Sequence, residues 1–296
     1  MNSSTIPLIE NPHIDKKGAD LDRQRFKMLE DIARDLSGEV VFPTCFDTVM
    51  RLRQALNDPA MPLERLAALI TLEPLISARL IALSNSVAYN PGGTEIRGVQ
   101  RAIERLGLKN VRSVSLAIAM KQLIMARQVV GFQMQAEQLW KHSLRTASAA
   151  CVVARRLTRT NPEDALLAGM VHDIGAFYMI YRAAQYEELM LRPDTTKHLI
   201  IRWHESIGHA LIVALGLPAE IADATIDHDH PRPITLPPRN LADIIYLANR
   251  LADPGIETID LPGNAGLANK DTLRELSNQL GGEIDVHEAS LKSAFN

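Results

Sequence analysis

The chain has 296 residues, of which 46% are hydrophobic and 23% charged, enough for one large or two ordinary globular domains. A formal net charge of −3 gives no basic excess of the kind that nucleic acid or an anionic membrane attracts. Aromatics are only 4% while Leu and Ala dominate, which favours helices over sheets, and two lone cysteines, Cys45 and Cys151, fit a reducing compartment and cannot build a Cys-rich zinc site.

Residues 1–20 are polar and irregular, with Pro7, Pro12 and Gly18, and are expected to form a loose tail. A charged helix is expected over 19–36, broken by Ser37-Gly38. Residues 40–43 form an extended entry, because the residue before a proline avoids the helical region. Helices are then predicted over 46–56 and 63–71, followed by one that Pro74 opens and that carries Ile76, Leu80, Ile81 and Leu83. After the Asn90-Pro91-Gly92-Gly93 loop come a helix over 99–106, stopped by Gly107, and a long apolar one over 111–130.

A second block starts near Gly131. A helix over 135–157 contains His142, and another, opened by Pro162, ends on His172-Asp173 near Gly175. Helices over 177–190, 198–215 (with His204) and 219–227 lead to His228, and a proline-rich connection precedes a last strong helix over 241–252. A peripheral helix is expected over 270–281, with a frayed end. No segment alternates apolar and polar residues at period two. The expected architecture is all-α, with two packed helical subdomains over 37–130 and 131–255, a preceding tail and helix over 1–36 and a peripheral segment over 256–296. The N-terminus lacks a signal-peptide pattern and no apolar run reaches the ~18 residues of a membrane span, so a cytoplasmic protein without a membrane partner is expected.

The chemistry sits in the histidines. His142, His172, His204 and His228 each lie on or at the end of an apolar helix, and Asp173 follows His172 directly. Imidazoles beside a carboxylate are what a divalent ion accepting nitrogen and oxygen ligands requires, and helix ends converging in a bundle core are a way to build such a site. A bound ion would acidify a water and polarise a phosphoryl oxygen, with Lys141 or Arg145 available for phosphate. Against this, a single histidine on an apolar face is more often a hydrogen-bonded core residue. Asp229-His230 before Pro231 reads equally as a polar turn. Asn85 reads as a helix C-cap, or as part of a binding surface between the two blocks. A basic row, Arg97, Arg101, Arg105, Lys109 and Arg112, reads first as a solvated helix face and second as a nucleic-acid contact.

With these residues in place, the second block resembles the HD superfamily of metal-dependent phosphohydrolases, whose pattern is H…HD…D: His142 matches the first histidine and His172-Asp173 the paired motif. His204 and His228 match extra histidines of the HD-GYP branch. The first block resembles the HDOD domain specifically. Phe42-Pro43 matches its opening, the run from Leu72 to Ser86 its "DPxL…LLxLxNS" signature with Glu73 in place of Asp, and the run from Ile96 to Gly107 its "I…AIxxLG" segment. The resemblance spans about residues 40–255. It implies a bacterial signal-transduction protein that acts by binding other signalling proteins without catalysis; the alternative is a metal-dependent phosphohydrolase with an atypical site. It implies a divalent cofactor (Mn, Fe, Mg or Zn) on His142, His172, Asp173, His204 and His228, if one is held. Three departures weaken hydrolysis: Asn249 stands where the last Asp ligand belongs, Ala176 where HD-GYP enzymes carry lysine, and Pro231-Arg232-Pro233 where they carry Gly-Tyr-Pro.

Overall fold

The computed structural model describes residues 19–37, 52, 54–56, 58, 60–125, 127–252 and 265–295, and all regular structure among them is helical. The expected tail, the 40–43 entry segment and Cys45 lie outside the described residues. Of the predicted 46–56 helix, residues 52 and 54–56 are described and helical, with Leu52 and Ala55 buried.

α1 (Ala19–Ser37) precedes the first block and packs on the second, while the first block holds α2 (Leu63–Thr71), α3 (Pro74–Ser84) and α4 (Val99–Ile124). In α3, Pro74 occupies the first turn as predicted, where its missing N–H costs nothing. Gly107 has φ +78° inside α4, a left-handed conformation that only glycine adopts readily. The predicted stop is therefore present, but the chain re-enters a helix at once and the two predicted helices form one kinked element. A 3-10 turn, Arg127–Phe132, falls at the seam expected near 131.

The second block is built around α5 (Gln133–Leu157), which is buried on every side from Thr146 to Ala154. Alanines, serines and valines in that stretch let α6 (Pro162–Val171), α11 (Leu241–Ala252) and α12 (Ala265–Phe295) pack on it together. The start of α6 is fixed locally: Asn161 accepts the Glu163 N–H, Pro162 follows as the first helical residue, and Glu163 and Asp164 face the helix dipole. After a short turn at His172-Asp173 come α7 (Ile174–Ala183), α8 (Glu187–Met190), α9 (Pro193–Ala214) and α10 (Ala219–Ala224). The single helix expected over 177–190 is divided, because α1 docks into the break. Tyr186 Oη donates to Asp31 at 2.5 Å, and Gln24 accepts the Glu188 N–H at 3.0 Å.

The C-terminal segment departs furthest from expectation. The short peripheral helix predicted over 270–281 is the middle of α12, a 31-residue helix. Gly281-Gly282 is unfavourable for a helix by propensity, but Leu276, Leu280, Ile284, Leu291 and Phe295 form a stripe that continues past it and is buried on α5 and α3. Tertiary burial overrides the local signal. The basic row is largely neutralised: Arg97 pairs with Glu95 at 2.5 Å, Arg101 with Glu104 at 3.2 Å and Lys109 with Asp164 at 2.7 Å. Among the described residues no single helix is long and apolar enough to cross a membrane.

Candidate metal centre

Four elements deliver the predicted residues to one point. His142 comes from the middle of α5, His172 and Asp173 from the α6–α7 turn, His204 from α9, and His228 from the loop after α10. Asp173 lies between two histidine pairs. Its Oδ2 is 3.1 Å from His172 Nε2 and 3.9 Å from His142 Nε2, while its Oδ1 is 3.4 Å from His228 Nε2 and 3.6 Å from His204 Nε2. The Nε2 atoms of His142 and His172 are 3.3 Å apart, and those of His204 and His228 3.4 Å. His172 and His228 are at most 1% exposed and Asp173 7%, so this cluster is inside the protein and its members must find partners in one another or in an ion.

The opposite ring nitrogens decide the orientation. His172 Nδ1 lies 2.8 Å from Gly169 O, His204 Nδ1 2.9 Å from Ile200 O and His228 Nδ1 2.8 Å from Thr225 O. A carbonyl only accepts, so each Nδ1 carries the proton and donates. Nε2 is then the nitrogen that each ring turns to the cluster, the orientation that metal ligation needs once an ion displaces any proton held there. A core histidine filling space would not require three rings to be fixed in the same sense.

Asn249, buried in α11, sits where the resemblance places the last carboxylate. Its Nδ2 donates to Asp229 Oδ1 at 2.9 Å and to His228 O at 3.2 Å. Both are acceptors, so the amide is oriented with its oxygen away from them. The carboxylate missing at 249 is replaced from 229, since Asp229 Oδ2 is 3.5 Å from His204 Nε2 and its Oδ1 3.9 Å from His228 Nε2. Sequence reasoning gave Asp229 only as a turn residue. The available signal was its position directly after a site histidine, repeating His172-Asp173.

Electrostatics make the pocket a holder of positive charge. Burial alone would push the Asp173 carboxyl up, but the imidazoles of His172 and His228 outweigh it and hold it well below the usual carboxylate range. Asp229 is held down by His204 and His228 against the same opposing burial. Burial works against protonated His228, yet the bond to Asp173 and that carboxylate's charge raise it to about 9. His204 is raised by Asp229 and Asp173 against burial. His142 is lowered, by burial and by His172. The two sets His142, His172, Asp173 and His204, Glu205, His228, Asp229 could each hold an ion. The donor set, imidazole plus carboxylate with few other partners, fits a divalent transition metal.

The close approach of α7 and α9 sets this geometry. A Cβ on Gly175, in the first turn of α7, would lie 2.0 Å from His204 O and 2.6 Å from Gly208 N. Only glycine lets the two backbones meet there, which places Asp173 and His204 within reach of each other. On the other side, Gly169 lies against the Ala147 backbone and brings α6 to α5.

The remaining predicted residues lie elsewhere. Arg145 is one turn from His142 but is engaged by α12, through Asp285 at 2.8 Å and Glu288 at 2.7 Å. Lys141 is exposed on α5. Asn85 caps α3 and ties the following loop: Nδ2 donates to Ile81 O at 2.9 Å and Ile96 O at 2.7 Å, and Oδ1 accepts the Ile96 N–H at 2.8 Å.

Comparison with known proteins bears on the fold and the family. A structure from Shewanella amazonensis SB2B, of a protein assigned by name to the metal-dependent phosphohydrolases, superposes with a TM-score of 0.72 at 21% identity, covering 93% of this chain and 100% of that one. An HDOD domain protein of unknown function from Geobacter sulfurreducens gives 0.59 at 20% identity, covering 93% and 99%. A protein from Marinobacter aquaeolei VT8, assigned by name to signal transduction, gives 0.56 at 17% identity, covering 94% and 68%. At these identities the likeness is one of fold. Comparison with curated proteins gives no match. The family model described as HDOD domain matches residues 42–231, well over half of the chain, and the chain belongs to that family.

Proposed function

We propose that this chain is a regulatory protein of bacterial signal transduction whose HD-like core binds a divalent metal ion and which acts by binding other signalling proteins, without turnover of a phosphorylated substrate. Arg145 carries this reading. Of the two cations that the sequence offers as phosphate ligands near His142, Arg145 is already held by two carboxylates of α12, and Lys141 is on the exposed side of α5. The pocket itself is lined by Asp173 and Asp229, which repel a phosphate. When bound, a metal would supply Lewis acidity and an acidified water. The chain's own residues orient the ligand atoms and keep two carboxylates ionised, Asp173 buried and Asp229 half exposed at the edge of the cluster.

A second reading, a metal-dependent phosphohydrolase, is favoured by one observation: Asp229 restores the carboxylate lost at Asn249. The two readings separate in one experiment. Untagged protein is assayed for bound metal and then for phosphodiester cleavage with manganese, iron and zinc. The regulatory reading expects bound metal that is lost in His172→Ala, with no turnover above the protein-free rate. Turnover that needs metal and is abolished in Asp173→Ala would replace it with the enzyme.

A further inference from the structure

We infer that Glu205 is the positioning residue of the metal centre, acting as a bracket that holds His228 and Asp229 in place from outside the ligand sphere. This rests on the metal-binding part of the proposed function and adds a residue to it. Glu205 follows His204 on α9, is mostly buried, and its acidic group lies near enough to His204, His228 and Asp229 to be counted as a ligand with them. The geometry assigns it otherwise. His228 turns Nε2 towards Asp173, at 3.4 Å, while Nδ1, which donates to Thr225 O at 2.8 Å, has the Glu205 carboxylate 3.5 Å away. Glu205 therefore stands behind the ring, on the side away from the ligand atoms. Its two oxygens are used separately: Oε2 accepts the Asp227 N–H at 3.1 Å and Oε1 the Asp229 N–H at 3.2 Å.

These contacts add to the loop's own bond from His228 Nδ1 to Thr225 O and fix the turn on either side of His228. Asp227 has φ +59°, a left-handed conformation that a residue with a side chain adopts rarely, Asp more readily than most. The loop after α10 must make this turn to send His228 inwards and place Asp229 beside His204. Neighbouring contacts fix the downstream end: Arg250 donates to Asp229 O at 2.7 Å, and Tyr246 Oη donates to Arg232 O at 2.6 Å. At the upstream end, the two N–H groups flanking His228 end on Glu205. Adjacent residues of α9 thus divide the work, His204 pointing at the cluster and Glu205 gripping the loop that supplies the other ligands.

The test uses the full chain at one pH near 7.5, as parent, Glu205→Ala and Glu205→Gln, with manganese and zinc as probes. Calorimetric titration is expected to show metal affinity falling about 10- to 100-fold in Glu205→Ala, the size of effect seen when an outer-shell partner is removed. Glu205→Gln keeps one acceptor oxygen and is expected to recover part of that loss, while the metal-free melting temperatures of the two variants coincide. Amide hydrogen exchange at residues 227 and 229 is expected to speed up at least tenfold in Glu205→Ala without metal. Unchanged exchange at both amides, or Glu205→Ala binding metal within threefold of the parent, overturns the inference. If the parent binds no metal, the proposed function fails on that point, and the exchange measurement still decides whether Glu205 holds the loop.

Discussion

Replacing Gly175 by alanine places a methyl 2.0 Å from His204 O and 2.6 Å from Gly208 N, where ordinary contact begins at 3.4 Å. The shortfall is about 1.4 Å and the obstacles are backbone atoms, so no side-chain rotation relieves it; α7 and α9 must separate. Overpacking of this kind costs about 1–3 kcal/mol, and a backbone obstacle puts it at the upper end. Alanine returns at most about 1 kcal/mol through helix propensity, leaving a net loss of about 2 kcal/mol. For a chain of 296 residues that lowers the melting temperature by about 3 °C. The same displacement moves His204, now 3.6 Å from Asp173, out of reach of the cluster. Metal affinity therefore falls with stability. Gly208→Ala is the control. Its methyl meets Gly175 N at 3.3 Å and nothing nearer, so it is expected to stay within about 1 kcal/mol of the parent. Thermal melts with and without manganese measure both variants. A Gly175→Ala protein that melts within 1–2 °C of the parent, roughly the scatter of such melts, and binds metal normally would refute the backbone-contact account of the site.

Three further outcomes follow from the same contacts. Asn249→Asp puts a carboxylate against Asp229 Oδ1 and His228 O, so metal-free stability is expected to fall by about 1–3 kcal/mol while manganese affinity rises, seen as a larger metal-induced shift in melting temperature. His287, buried on α12 between Tyr89 and Ser148, has its imidazole pushed down to about 4 by burial and by Arg155. The unfolded chain then binds the extra proton between about pH 6.5 and 4, so this stability is complete above pH 6.5 and is lost as pH falls towards 4, by about 3 kcal/mol in total; urea unfolding at pH 7 and 4.5 should show a smaller pH difference in His287→Gln than in the parent. Asn85→Ala orphans the N–H and C=O of Ile96 and is expected to cost about 2 kcal/mol in urea unfolding with no change in metal affinity; a loss of partner or ligand binding at unchanged stability would show instead that Asn85 forms part of a recognition surface.

Much of this protein is set by local sequence. Pro74 and Pro162 start their helices, Gly107 breaks α4, and α2 and α11 run over the predicted residues, because caps, prolines and apolar periodicity act within a few residues. The five metal-ligand candidates were legible as a group: one histidine on an apolar helix is usually a hydrogen-bonded core residue, but four of them with an adjacent carboxylate point to one shared site, and the fold does bring them together. What only the tertiary structure decided depends on neighbours distant in the chain. Burial on α5 and α3 carried α12 through two glycines. Capture by Asp285 and Glu288 withdrew Arg145 from any phosphate. Asp229 became a candidate ligand, and Glu205 a bracket, only because the Gly175 contact brings α9 against the Asp173 turn. Residue type and spacing fix what a side chain can do, while the packing of helices far apart in sequence selects which partner it meets.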